Sequence, residues 1–171
     1  RFIKDYSLNA YEANVLVSEK EISDYFEEVV KTSDIKLAKN WITGDLFASL
    51  NDKNISISES PIKAKEMASL INTISSGLIS GRAAKEVFEV MKDAGGDPVE
   101  IIEKKGLKQK SDPKELEVLI DRILDENKDK VAEYKSGKDK LFGFFVGQSM
   151  KVSGGTANPK LVNDILKKKL K

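Results

Sequence analysis

Apolar residues are spaced at helical intervals through almost the whole of this chain, and that spacing limits its fold more than any other feature. The intervals of three and four recur in sets such as Ile22, Tyr25, Phe26, Val29, then Leu116, Leu119, Ile120, Ile123, then Leu161, Val162, Ile165, Leu166. Because a helix turns once in 3.6 residues, each set lies on one face of a helix. Alternating runs joined by Asn-Gly or Asp-Gly turns, which would indicate strand hairpins, are not found. We therefore expect an all-α protein.

Capping residues predict where the helices begin. Three candidate starts place a side-chain acceptor before proline: Asp97-Pro98, Ser111 or Asp112 before Pro113, and Asn158-Pro159. These pairs suit the N-cap and first positions of a helix. A capping box at Ser18–Glu21 and the pair Ser60-Pro61 predict two more starts, and Thr43-Gly44 predicts a kink or interruption.

The polar stretch from Lys108 to Ser111 is the best internal boundary. Short helices with tight breaks precede it, which favours a compact orthogonal bundle over long parallel rods. We expect two small helical bundles: an orthogonal helical subdomain at 24–107 and a three-helix tail domain at 108–171. Residues 1–23 are expected to be a connector.

Composition excludes several classes of function. With 40% apolar and 33% charged residues, the 171-residue chain is typical of globular proteins. It has no cysteine and no histidine, which excludes disulfides, thiol nucleophiles and the usual general base near neutral pH. No apolar run approaches the roughly 18 residues that a membrane helix needs, so we expect no membrane partner.

Positive charge is concentrated at one end of the chain. From Ser136 onwards eight lysines face two aspartates, a net charge of +6, and the remainder carries −5. This asymmetry favours an anionic partner for the basic end. A lysine-rich terminus that is merely solvated is the alternative.

The stretch Ser153-Gly-Gly-Thr-Ala-Asn-Pro159 lies within this basic end. It lacks the spacing of a phosphate-binding P-loop, and no strand precedes it, so a nucleotide site is not expected. Lys151 and Lys160 flank it, its glycines permit close approach, and the helix start at Pro159 is expected to present free amides to phosphate. Such a loop suits shape and backbone recognition of a folded nucleic acid. An ordinary turn with lysines on its surface remains the alternative.

Segments along the chain also resemble a known family. Residues 145–170, Phe-Val-Gly-Gln-Ser-Met-Lys-Val-Ser-Gly-Gly-Thr-Ala-Asn-Pro onwards, are similar to the C-terminal signature of the B subunit of the bacterial aspartyl/glutamyl-tRNA amidotransferase. They resemble YqeY-type proteins more loosely. The segments that match the same B subunit in order are Arg1–Leu8, Asp24–Val30, Lys39–Leu46 and Gly81–Phe88.

The resemblance implies a function for the parent protein. The family amidates Glu-tRNA(Gln) or Asp-tRNA(Asn) in the cytoplasm, using ATP, Mg²⁺ and ammonia from a glutaminase subunit. Its catalytic and metal-binding residues belong to an N-terminal cradle, which we do not expect in this chain. We therefore expect a non-catalytic fragment without a cofactor or metal of its own. Its tail domain would be YqeY-like and hold the outer corner of tRNA near the D-loop.

The implied partners are tRNA of the Asn or Gln type and the A and C subunits of the amidotransferase, not DNA. The candidate tRNA contacts are Lys138, Lys140, Lys151, Gly154, Gly155, Thr156, Asn158, Lys160 and Lys167. The lysines would neutralise phosphates, and the other residues would let the loop lie against the RNA backbone. Two alternatives stay open: a protein-docking module without tRNA contact, and an independent enzyme, which would turn over ATP or glutamine.

Overall fold

The computed structural model describes residues 1–110 and 112–171, and these confirm the all-α prediction. The helices are α1 (Phe2–Asp5), α2 (Ala10–Leu16), α3 (Lys20–Val30), α4 (Ile35–Trp41), α5 (Phe47–Lys53), α6 (Ala64–Ser75), α7 (Gly81–Ala94), α8 (Pro98–Lys105), α9 (Pro113–Glu126), α10 (Lys128–Lys135), α11 (Leu141–Val152) and α12 (Pro159–Lys169). A 3₁₀ turn spans Ile57–Glu59. The described residues form no strand, although one isolated parallel bridge joins Lys110 to Ala157. Within this described part, no helix has the length and apolar character needed to cross a membrane.

The contacts divide the chain into two compact units. The first unit holds Arg1–Leu78 and Ala84–Gly106, and the second holds Ile79–Ala83 and Leu107–Lys171. Helix α7 therefore begins in the second unit and continues in the first. The predicted division into 1–23, 24–107 and 108–171 stays a prediction.

The core of the first unit forms where α3, α4 and α8 pack against α6. Phe26, Met67 and Leu70 are fully buried there. Trp41 is also buried, and its ring lies 5.6 Å from that of Phe88, centroid to centroid. Burial of such large side chains contributes about 1.5–3 kcal/mol each, and this stabilises helices too short to persist alone.

The second unit is built on α9, α11 and α12, which pack against one another. These three helices match the predicted three-helix arrangement, and α10 is an additional short helix that follows α9 after Asn127. The core contains Leu116, Ile120, Phe145 and Val162, all fully buried. This core holds the two ends of the loop between α11 and α12.

The helix starts predicted at Asp97, Asp112 and Asn158 are confirmed, and those predicted at Ser18 and Ser60 are wrong. The side chains of Asp97, Asp112 and Asn158 each accept an amide hydrogen bond at the start of their helix, with proline next in the chain. Ser111, the alternative cap before Pro113, lies outside the described residues. Ser18 instead donates to the carbonyl of Val15, and α3 begins at Lys20. A local turn involving Ser60 replaces the other predicted start.

Ser60 is buried and bonds the backbone two residues ahead instead of capping a helix. Its hydroxyl accepts from the amide of Ile62 and donates to the carbonyl of Ile62, each at 3.1 Å. Such local bonds compete with helix formation. The helix α6 therefore begins only at Ala64, where Glu66 reaches back to the amide of Lys63 at 3.0 Å.

The predicted interruption at Thr43-Gly44 is a π-helical turn, Ile42–Leu46, that joins α4 to α5 without a break. Ile42 and Leu46 are both buried on its inner side. Asp45 forms an ion pair with Lys85, whose ammonium lies 4.7 Å from the centroid of the Trp41 ring. A π turn accommodates one extra residue in a helix, so the segment continues with its apolar side chains still in the core.

The turn after α7 yields a stability prediction. Gly95 has φ = 67°, and a β-carbon there would lie 2.7 Å from the carbonyl oxygen of Pro61. Gly106 has a similar φ of 62°, but a β-carbon there would meet open space. We expect Gly106→Ala to lower the free energy of unfolding by about 1–2 kcal/mol through left-handed strain alone. Gly95→Ala should cost roughly 3 kcal/mol or more, because the clash with Pro61 adds to that strain.

Urea denaturation followed by tryptophan fluorescence measures this difference, since the single Trp41 lies in the same unit as both glycines. Equal losses for the two variants would show that the contact with Pro61 is not important.

Candidate nucleic-acid interface

The loop between α11 and α12 begins with a Schellman motif. The amide of Gly155 donates to the carbonyl of Met150 at 2.8 Å, and the amide of Gly154 donates to that of Lys151 at 3.1 Å. Gly154 and Gly155 have φ of 63° and 79°, a region in which a side chain would be strained. Both glycines are therefore required by the turn itself.

Hydrogen bonds from within the protein fix the rest of the loop. The buried Thr156 donates its hydroxyl to the carbonyl of Ser153 at 2.6 Å, and the Ser153 hydroxyl accepts from the amide of Ala157 at 3.2 Å. The amide of Lys110 donates to the carbonyl of Thr156 at 2.5 Å. The carbonyl of Lys110 accepts from the amide of Asn158 at 3.0 Å. The loop thus has a defined shape before any ligand arrives.

The start of α12 contradicts the expectation that its free amides would bind phosphate. The Asn158 side chain accepts from the amides of Lys160 at 3.1 Å and Leu161 at 3.4 Å. The amide of Val162 donates to the Asn158 carbonyl at 3.0 Å, and Pro159 carries no N–H. Each first-turn amide already has an acceptor. An anion at this loop would therefore be held by side chains.

Lys151 and Lys160 are exposed on either side of the loop, Lys151 in the last turn of α11 and Lys160 in the first turn of α12. Neither forms an ion pair with a carboxylate in the part of the chain that the structure describes. The exposed Lys110 adds a third positive charge beside them, because its backbone is bonded to the loop. These three lysines and the loop form one basic surface, here called the loop surface.

The other predicted lysines lie away from the loop surface. Lys138 forms an ion pair with Glu133 at 2.7 Å. Lys140 is exposed at the N-cap of α11, about 16 Å along the helix axis from Lys151. Lys167 is exposed in the last turn of α12, about 10 Å along the axis from Lys160. The structure therefore places Lys151 and Lys160 at the two ends of the loop and the other predicted lysines farther along the chain.

Lys169, in the last turn of α12, forms ion pairs within the protein. Its ammonium bonds Asp121 at 2.7 Å and Glu117 at 3.0 Å, which joins α12 to α9. Hydrogen bonds to Asp121 and Glu117 raise the pKa of Lys169 above its ordinary value. The interaction is therefore complete at neutral pH and would be lost as the pH rises through that raised pKa.

Arg82 is a further cation at the loop surface, and sequence reasoning missed it. Ile79–Ala83 belongs to the second unit, and the Ser80 hydroxyl donates to the carbonyl of Gly155 at 3.4 Å. Arg82 is exposed, and its Cδ lies 3.6 Å from the position of a β-carbon built on Gly155. Since 75 positions separate Ser80 from Gly155, no local pattern predicts the contact. The matched segment Gly81–Phe88 was the available signal.

Other surfaces are less suited to binding a ligand or a metal ion. A groove of about 620 Å³ runs beside α3 and α6 in the first unit, and several of its polar groups bond within the protein. Lys31 pairs with Glu28 at 2.5 Å, and the Asn72 amide donates to the carbonyl of Thr32 at 3.0 Å. Across the described residues, no group of three or more carboxylates is placed to hold a metal ion. The absence of catalysis stays an expectation.

Comparisons with known proteins identify relatives of the chain. A family model described as the GatB domain matches residues 24–170. The B subunit of the aspartyl/glutamyl-tRNA(Asn/Gln) amidotransferase of Pelagibacter ubique is 63% identical over 174 residues, covering 99% of this chain. The B subunits of the same name from Nitrosococcus oceani and Ehrlichia ruminantium are 50% and 49% identical, each also over 99% of this chain. The chain spans only 35–36% of the length of these relatives.

A substitution that removes the buried hydroxyl of Thr156 can distinguish a structural role of this residue from a role in RNA binding. We expect Thr156→Val to lower the free energy of unfolding by about 1 kcal/mol, because the bond to Ser153 is lost. The affinity of the folded protein for RNA should not change. Denaturation followed by circular dichroism and titration with tRNA measure the two effects.

Thr32→Val is the matched control, since Thr32 is exposed, and it should change stability by less than about 0.5 kcal/mol. A stable Thr156→Val protein with weakened RNA affinity would instead indicate direct contact by the hydroxyl.

Proposed function

The chain belongs to the GatB domain family, which includes B subunits of aspartyl/glutamyl-tRNA(Asn/Gln) amidotransferases, and from this premise we propose that it binds tRNA without catalysing the reaction. The second unit holds the outer corner of tRNA, on its D-loop side. The acceptor end then reaches a catalytic domain elsewhere in the parent protein. Binding a substrate far from the reacting carboxylate contributes by positioning it.

The observation that carries this proposal is the loop surface itself. Its backbone shape is fixed by internal hydrogen bonds, and the exposed Lys151 and Lys160 flank it without carboxylate partners among the described residues. A loop whose backbone is already fixed loses little backbone entropy when it binds an anion. Since RNA phosphates are evenly repeated along the backbone, such a surface suits recognition by shape.

Contacts outside the loop surface are secondary in this proposal. Lys140 and Lys167 are exposed and extend the positive charge along α11 and α12. Lys138 contributes only when its exposed pair with Glu133 opens, which costs little because surface pairs are weak. Gly154, Gly155, Thr156 and Asn158 act by shaping the loop.

The parent enzyme's chemistry lies outside this proposal for the chain. ATP and Mg²⁺ would be used by the catalytic domain, and ammonia would come from a glutaminase subunit. The A and C subunits are the proposed protein partners.

A second candidate function, docking of partner subunits, is favoured by apolar side chains of the first unit. Ile3 is 54% exposed, Tyr11 77% and Val17 47%. Ile3 and Val17 line the same groove, and neighbouring exposed apolar side chains are typical of protein contacts. The two functions are compatible, because they use different units.

The tRNA proposal predicts a steep salt dependence that specific lysines control. In titrations of the 171-residue chain with tRNA, affinity should fall linearly with salt on a log–log plot, with a slope of about −0.7 to −0.9 per phosphate contact. Lys151→Ala with Lys160→Ala should reduce that slope by about two contacts and weaken several tRNAs alike.

The matched control is Lys20→Ala with Lys36→Ala, which removes the same charge from exposed positions in the first unit. This control should bind like the unaltered chain. Affinity that does not depend on salt, or an equal loss in both double variants, contradicts the proposal. Co-purification with partner subunits but never with tRNA would favour docking.

A further inference from the structure

The geometry points to Arg82 as a phosphate-binding residue of the tRNA surface, so that this surface is assembled from two distant segments of the chain. The inference rests on the proposed function and extends it to a residue in the first turn of α7. It makes Arg82 a partner of Lys151 and Lys160 in binding the RNA backbone. Its support comes from the position of the side chain, the fixation of the backbone that carries it, and its unpaired charge.

The position of Arg82 is defined by its contact with Gly155. A β-carbon on Gly155 would lie 3.6 Å from Cδ, 3.7 Å from Nη1 and 3.8 Å from Nε of Arg82. Three atoms at nearly equal distances show that the end of the side chain lies along this glycine. These are ordinary van der Waals distances, so the guanidinium lies beside the loop at contact distance from this position.

Ser80 fixes the start of α7 against the same glycine. Its hydroxyl accepts from the amide of Ala83 at 3.1 Å and donates to the carbonyl of Gly155 at 3.4 Å. One side chain therefore caps the helix and joins it to the loop. Because Arg82 lies between Ser80 and Ala83, the backbone that carries its guanidinium is held at the loop surface.

The charge of Arg82 is not neutralised within the described part of the protein. The side chain is exposed, and no ion pair or side-chain hydrogen bond links it to a described residue. Arginines with a purely structural role typically use their five donors on carboxylates or carbonyls. Here the donors are left to solvent, beside a loop that two further cations flank.

Phosphate is the ligand that suits this arrangement. The planar guanidinium can donate two parallel hydrogen bonds to one phosphate, and it keeps its charge at any physiological pH. Ser80 already holds the backbone that carries the guanidinium at the loop, so binding need not order that backbone. RNA is favoured over a protein carboxylate because Lys110, Lys151 and Lys160 form a surface of repeated positive charge around it.

The test compares three single variants of the 171-residue chain in titrations with a tRNA(Asn) transcript over a range of salt. We expect Arg82→Ala to bind about tenfold more weakly and to lower the salt slope by about 0.7–0.9, the value for one phosphate. Arg82→Lys should keep the slope and bind roughly two- to fivefold more weakly, because the charge remains and the paired donors are lost. Arg122→Ala is the control, since Arg122 is an exposed arginine of the same unit paired with Glu126. It should bind normally.

Each other outcome has a defined meaning. If Arg82→Ala matches Arg122→Ala while the Lys151 and Lys160 double variant loses affinity, the inference is wrong and the proposed function stands. If Arg82→Ala weakens binding but leaves the salt slope unchanged, Arg82 only supports the loop, and the inference is again overturned. If the unaltered chain shows no salt-dependent binding, the proposed function fails as well. Thermal unfolding of each variant verifies that the comparison concerns folded protein.

Discussion

Burial of an apolar stripe is the interaction on which every helix of this chain depends. The helices are 4 to 14 residues long, and helices of this length are marginal in water by themselves. Each unit therefore has to bring several of them together around fully buried side chains, such as Met67 in the first and Phe145 in the second. Once such a core has formed, the connections between helices are held at both ends. A short loop can then keep one shape without being rich in secondary structure.

At the loop surface, one set of groups fixes the backbone shape and another set supplies the positive charge. Its shape comes from groups that face inward: the Thr156 hydroxyl, the backbone of Lys110 and the Asn158 cap. Its charge comes from side chains that face solvent. A substitution that alters one property should leave the other largely intact, which allows related proteins to retain the loop while their surface charges change. Gly154 and Gly155 are among the groups that set the shape, because the turn requires them whatever lies beside it.

The sequence was informative where a structure depends on neighbouring residues. Helical spacing predicts the all-α fold, and an acceptor before proline predicts three helix starts, because capping acts over two or three positions. The helix start predicted at Ser60-Pro61 is wrong because the serine hydroxyl bonds the backbone two residues ahead. Burial of Ser60 favours that local bond. Thr156 could be placed in the loop, but whether its hydroxyl faces inward depends on packing. The contact of Arg82 with Gly155 joins distant segments, so no periodicity could indicate it.

The division of α7 between the two units has a consequence for synthesis of the chain. Ile79–Ala83 is made well before Gly155, to which Ser80 bonds, and the second unit continues to Lys171. During translation this short segment has no loop to bond until some seventy further residues have emerged, at about 5–20 residues per second. The first unit has all of its segments once Gly106 has been made, while the second must wait. Every segment of the first unit is thus available before the loop that accepts the Ser80 bond has been made.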